Sequence, residues 1–215
     1  MLSSPVLALD TSAGASACLL LPDGKEAVAS MHTPRAHSKE LLPMLSNLLT
    51  GQGLAWQDIQ SFAVGIGPGS FTGLRVACAT IAGLNASLKR PVYALSSLDI
   101  TARQVEQRIL KSGSSFWVLE DARSGLVYAA QYAGHTCVTK PQCMRWEDVS
   151  RLPPSAYISL SAIPVSLDAW QALPVSLSRE QALVYIARDT DDKAVSQTWV
   201  EPLYLQASQA EKNLG

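Results

Sequence analysis

The sequence predicts a duplicated α/β architecture: two lobes, each a mixed sheet with helices on its faces, the second lobe reduced. Three observations carry this. Strand-like apolar runs come three in succession and then alternate with helical stretches, the order of a meander followed by parallel crossovers. After Ser112–Ser115 a similar order of elements begins again on different residues. Between the fourth strand and its helix lies "VGIGPGSFTGLR", a glycine-rich crossing with glycines at 65, 67, 69 and 73.

The elements follow in order. "PVLALDTS" and "GASACLLLPDGK" read as two strands, "PDGK" as a hairpin turn and "EAVASMHT" as a third strand. "HSKELLPMLSNLLTGQG" places Leu41, Leu45 and Leu48, with Leu42 and Leu49, at helical spacing, and Gly51 stops it. "WQDIQSFAVGIG" is a strand and "FTGLRVACATIAGLNASLK" a helix rich in small residues. "RPVYALSS" is a further strand and "SLDITARQVEQRILK" a further helix. Three strands are expected within "SSFWVLEDARSGLVYAAQYAGHTCVTKPQCM", then a short helix in "RWEDVSRL", a strand in "SAYISLS" and a last helix in "SREQALVYIARDT". Residues 1–102 form the expected first lobe, rejoined by 196–215, and 103–195 the reduced second lobe.

At 215 residues and 47% hydrophobic content the chain can bury a sizeable core. A net charge of −1 gives no electrostatic case for binding nucleic acid or an anionic membrane unaided. The longest clean apolar run, "SACLLLP", is far too short to span a bilayer, and Asp10 interrupts the N-terminal apolar segment, so the expected location is the cytoplasm. Cys18, Cys78, Cys137 and Cys143 form no C-x-x-C pair and are expected to be buried free thiols. His32, His37 and His135 form no metal-ligand pattern, and there is no G-x-S-x-G elbow.

The local candidates for chemistry are few. A helix starting near Ser70 or Thr72 would offer backbone N–H groups to an anion. The loop nevertheless fails the P-loop pattern, because Leu74 and Arg75 follow Gly73, and fails the dinucleotide pattern, because Thr72 or Ser70 stands where a third glycine is needed. A close-packing turn is the plainer reading. Asp10, followed by Thr11 and Ser12, could hold a hydrated Mg²⁺ or simply cap its own hairpin. Glu120, Asp121 and Arg123 sit at a strand reversal, as acid/base groups or as a turn ion pair. Arg75, a cation in the first turn of a helix, opposes the macrodipole and calls for a carboxylate, carbonyl or anion as company.

"LALDTS", "HSKELLPML", "GIGPGSFTGLRVACATIAGL", "PVYALSSL", "DARSGLVYAAQY" and "EPLYLQ" together resemble the TsaB (YeaZ) family of bacterial tRNA threonylcarbamoyladenosine synthesis. The resemblance runs from the first strand to near the C-terminus and is patchy across residues 140–192. It implies an actin-like, sugar-kinase-type ATPase fold and a cytoplasmic, non-catalytic activating subunit. The implied partners are a catalytic TsaD-like paralogue and a TsaE-like ATPase, with a homodimer when alone, tRNA reached only through the complex, and no membrane. The paralogue's His-x-x-x-His metal motif falls here near Ser97 and Thr101, so no protein-ligated metal and no catalytic residue are expected.

On the same grounds Asp10, Thr11, Ser12, Gly67, Gly69, Ser70, Thr72 and Gly73 would be a vestigial nucleotide loop, binding ATP or ADP weakly at most. Leu41, Met44, Leu45 and Leu48, with Arg75, Ala79, Ala82 and Gly83, would be the partner face. Gln206 departs from the family's terminal "EPxYLR". The rival readings are a self-sufficient ATPase or small-molecule kinase and, with less support, a peptidase.

Overall fold

The computed structural model of the chain describes residues 3–31, 37–106, 108, 110, 114–190 and 199–206, the side chains of residues 37 and 38 excepted. His32 lies outside the described residues. The chain divides into two compact units, Met1–Ile100 with Arg179–Leu203, and Thr101–Ser178 with Tyr204–Gly215. The expected boundaries therefore move: the chain returns to the first unit at Arg179, not at 196, and Tyr204 onward belongs to the second. The early return follows from the last helix, whose apolar side chains complete the core of the first sheet.

That sheet contains β1 (Val6–Asp10), β2 (Ala15–Leu20), β3 (Glu26–Met31), β4 (Ser61–Gly67) and β5 (Val92–Ser96), in the order β3-β2-β1-β4-β5. β1 pairs antiparallel with β2 and parallel with β4. It is buried at every position, as an unbroken apolar run should be in a sheet covered on both faces. Leu7 and Leu9 enter one core with residues of α1 (His37–Thr50) and α2 (Phe71–Leu88). Val6 and Ala8 enter the opposite core with Ala182, Leu183 and Ala187 of the last helix, α5 (Arg179–Asp189).

The faces of α1 and α2 decide the partner expectation. Leu41, Leu45 and Leu48 are 1%, 0% and 8% exposed and close the first core, so they are not partner contacts. The stripe they form is the sheet-facing stripe itself. Leu42, at 49% exposure, and the half-buried Met44 are the apolar residues α1 leaves near solvent. α2 buries Gly73, Leu74, Ala77, Cys78, Ile81 and Asn85 and presents Thr72, Arg75, Ala79, Gly83 and Ala86 outward, with Ala82 half-buried. Its length and apolarity would suit a bilayer by composition alone, but here they serve this packing. The helix ends where the Asn85 side chain brackets Arg90, donating from Nδ2 to its carbonyl (2.8 Å) and accepting its N–H at Oδ1 (2.7 Å).

The second unit repeats the connectivity. β6 (Ser115–Arg123), β7 (Leu126–Ala133), β8 (Thr136–Arg145), β9 (Ala156–Ile158) and β10 (Gln171–Ala172) are ordered β10-β9-β6-β7-β8. β6, β7 and β8 form an antiparallel meander, and β6, β9 and β10 are parallel. Reduction is visible in β9 and β10, of three and two residues, and in the five-residue α4 (Trp146–Ser150). Aromatic bulk fills the core that longer helices would fill: Trp146 lies among Leu119, Val127 and Val149, and Tyr157 meets Trp170 edge to face at 6.2 Å.

The helix expected over "SLDITARQVEQRILK" stops early, as α3 (Ser97–Arg103). Side chains and turns of the second unit capture the chain beyond it. The Gln104 carbonyl accepts from the N–H groups of Ser176 and Leu177, and its side chain donates to the Leu177 carbonyl. His135 receives Arg103 at Nδ1, so Nε2 carries the proton and donates to the Val105 carbonyl at 3.0 Å. Burial first, then the charge of Arg103, hold the imidazole pKa below its ordinary value of 6.5.

A base with a depressed folded pKa binds fewer protons folded than unfolded, so this contribution is present above 6.5 and is lost as the pH falls through the folded value. The melting temperature is expected to drop between about pH 7 and pH 5, with a shallower drop in His135→Gln. An unchanged slope in that variant would show that the acid loss originates elsewhere.

The cysteines divide. Burial pushes the Cys18 thiol up to about 12 and the Cys78 thiol to about 11. Cys137 is exposed and Cys143 half-buried, so the expectation of four buried thiols fails for the two on β8, where one face of an edge strand meets solvent.

Candidate functional site

The residues with a claim to chemistry converge where β1 ends. Asp10, 0% exposed, is the last residue of β1, and its carboxylate is fully engaged. Oδ2 accepts from the Ser12 hydroxyl at 2.8 Å, from the Ser12 N–H at 3.2 Å and from Arg179 Nε at 2.7 Å. Oδ1 accepts from the Ser97 hydroxyl at 2.8 Å. The guanidinium of Arg179, 9% exposed, also donates through Nη2 to Ser12 Oγ (2.7 Å) and to the Ser97 carbonyl (3.2 Å). This is a buried, multiply bonded ion pair, of the kind whose disruption from one side costs about 3–5 kcal/mol.

The glycine crossing packs directly onto this turn. A Cβ at Gly65 would lie 2.0 Å from Asp10 Oδ1, and one at Gly73 would lie 2.2 Å from the Thr11 carbonyl oxygen. Gly67 and Gly69 hold φ of +115° and +158°, and Gly69 abuts Ser12. Ser70 caps α2 by accepting the Gly73 N–H at 3.3 Å, and its own N–H donates to the Ser12 carbonyl at 2.7 Å. Thr11 is buried and its hydroxyl has no hydrogen-bond partner among the described residues, whereas Thr72 faces outward on α2. The structure thus brings together Asp10, Thr11, Ser12, Gly67, Gly69, Ser70 and Gly73, and leaves Thr72 aside.

A magnesium nucleotide fits this arrangement poorly. The carboxylate that would face the metal already has a full set of donors, one of them a cation, and donors a phosphate would use are spent on Ser12 and Ser70. Among the described residues, no group of three or more His, Cys, Asp or Glu side chains could hold a metal ion.

Other sequence candidates resolve individually. Ser97 donates to Asp10, and Thr101 donates to Glu120, which is buried. Asp121 accepts the Arg123 backbone N–H at 3.1 Å. Arg75 lies over the Phe71 ring, 3.9 Å from its centroid, so an aromatic face is part of the company this cation keeps. Gln206 donates to the Ala122 carbonyl (2.9 Å) and to the Tyr128 hydroxyl (2.7 Å), tying its own segment to the β6–β7 hairpin.

Sequence reasoning missed Arg179. Its one local signal is position: like Arg75 it is a cation in the first turn of a helix, where the macrodipole opposes it and a compensating partner is required.

Two α/β units on equivalent five-stranded sheets, with an acidic turn after the first strand and a glycine crossing after the fourth, define an actin-like ATPase fold. A family model described as "TsaD: tRNA N6-adenosine threonylcarbamoyltransferase" matches residues 28–212. The tRNA threonylcarbamoyladenosine biosynthesis protein TsaB of Escherichia coli K12 is 34% identical over 127 residues, 59% of this chain and 54% of that protein. The Haemophilus influenzae protein of the same name is 35% identical over 126 residues, 59% of this chain and 52% of that one. The chain thus spans about half the length of the curated relatives it matches. A Pseudomonas aeruginosa crystal structure, of a protein described as similar to the peptidase YeaZ, superposes with a TM-score of 0.73 at 27% identity, covering 95% of this chain and 100% of that one. The chain belongs to the TsaD family as that model defines it, and is similar within it to proteins named TsaB and YeaZ.

Proposed function

We propose that the chain is a non-catalytic, activating subunit of a cytoplasmic tRNA N6-adenosine threonylcarbamoyltransferase complex. It supports modification of the adenosine beside the anticodon by docking on a TsaD-like catalytic subunit, with a TsaE-like ATPase as third member, and pairs with itself when that partner is absent. The observation that carries the non-catalytic part is the chemistry at Ser97 and Thr101. The resemblance puts a histidine pair there in the catalytic relative, whereas these two hydroxyls are poor transition-metal ligands already donating to Asp10 and Glu120. The docking surface is the outward side of α2, with Arg75, Ala79, Ala82 and Gly83, where small side chains let another helix approach. Leu42 and Met44 of α1 supply apolar area. tRNA is reached through the complex, in keeping with a net charge of −1.

Reconstitution tests this. The catalytic subunit, the ATPase subunit, the enzyme that makes the threonylcarbamoyl adenylate, ATP, threonine, bicarbonate and tRNA are combined with and without the chain. Modification is expected only with it, and the purified chain should carry no stoichiometric zinc or iron. Undiminished modification without the chain would overturn the reading, as would one metal per chain lost on substituting Ser97 or Thr101.

A further inference from the structure

We propose that Arg179 is the resident cation of the Asp10 turn, supplied by the chain in place of a metal-bound nucleotide, and that it holds this seat of the fold closed. The proposal concerns the first unit alone and does not rest on the role in tRNA modification. Its test reads ligand binding and stability of the isolated chain, so either reading can fail without the other.

A carboxylate at the end of a first strand, beside a glycine crossing, is equipped to hold a hydrated divalent cation if its oxygens face open space or water. Here they do not. Arg179 Nε and two donors of Ser12 converge on Oδ2, and Ser97 takes Oδ1. The Gly65 backbone closes the remaining side, since even a methyl group there would sit 2.0 Å from Oδ1.

The guanidinium is itself fixed. Its Nη2 bonds Ser12 and the Ser97 carbonyl, so the cation cannot swing away from Asp10 without also breaking these two contacts at the turn and at the start of α3. It is also anchored from behind: Arg179 opens α5, and its neighbour Glu180 is buried and accepts the Ser16 hydroxyl at 2.7 Å on β2. Two charged side chains in succession thus seat the helix that brings the chain back to the first sheet. A metal would have to compete with a cation attached to its own ligand set.

The experiment follows thermal unfolding of the full chain and of Arg179→Met, Asp10→Asn and the double variant, with Mn²⁺, Mg·ATP or neither. The wild type is expected to show no saturable shift with millimolar Mn²⁺ or Mg·ATP. Arg179→Met should melt about 6–20 °C lower, the cost of a buried carboxylate left alone in a chain of this size. Mn²⁺ should restore part of that loss, and adding Asp10→Asn should both restore stability and abolish the Mn²⁺ effect.

If Arg179→Met does not fold, recovery of a cooperative transition in the double variant supports the proposal, and calorimetric titration of the wild type with Mg·ATP tests it independently. The proposal is overturned if the wild type binds Mg·ATP in a manner that Asp10→Asn abolishes, or if the two substitutions are additive in stability.

Discussion

Gly65→Ala is expected to lower the melting temperature by about 6–20 °C, because the new methyl group must displace a carboxylate that four donors hold in place. Overpacking a tight interior alone costs about 1–3 kcal/mol. Pushing Asp10 off Ser97 or Arg179 raises this to the cost of a broken buried pair, about 3–5 kcal/mol in all. Gly83→Ala is the control: nothing lies within 4 Å of the added atom, the site is mid-helix, and replacing glycine there should stabilise by about 0.4–1 kcal/mol. Calorimetry of the two variants checks both signs. If Gly65→Ala melts with the wild type, the crossing is not seated on the carboxylate.

The same pair of glycines shows how far the sequence could be read. The elements near Gly65 were legible because each declares itself locally: an unbroken apolar run for β1, a serine three residues before Gly73 for the cap of α2, and a second meander after Ser115 for the duplication. What Gly65 touches was not legible, since packing against Asp10 is a property of two parallel strands brought side by side. Arg179 was hidden by distance in the chain: its partner lies 169 positions earlier, and no local pattern links a helix-opening arginine to a strand-ending aspartate.

The partner face was misassigned on α1 for a different reason. With leucine at 41, 42, 45, 48 and 49 the apolar arc exceeds one face, and periodicity fixes its width but not which edge meets the sheet. Burial settles that Leu41, Leu45, Leu48 and Leu49 point inward and Leu42 outward. On α2 small residues occur on both sides, so composition could not separate the buried Ala77 from the exposed Ala79.

That division sets the largest contrast expected among single substitutions. Leu45→Asp buries a charge where 0% of the side chain is exposed, a cost of the order of the whole stability of a domain, about 5–15 kcal/mol, and the chain should not fold. Ala79→Asp and Leu42→Asp place the same charge on outward positions and should melt within a few degrees of the wild type. If α2 and the Leu42 edge of α1 dock on the catalytic subunit, each then sets an unpaired carboxylate against apolar surface, and association should weaken by about 2–4 kcal/mol, roughly 30- to 1,000-fold.

Gly83→Leu extends the contrast without charge: more stable in isolation by helix propensity, yet too large for close helix approach, it should lose partner affinity while gaining melting temperature. Circular dichroism melting and co-purification with the TsaD-like subunit, read on the same samples, separate the outcomes. Should Ala79→Asp, Leu42→Asp and Gly83→Leu all fold and all keep the partner at wild-type affinity, the docking surface lies on neither helix and the assignment of this face is wrong.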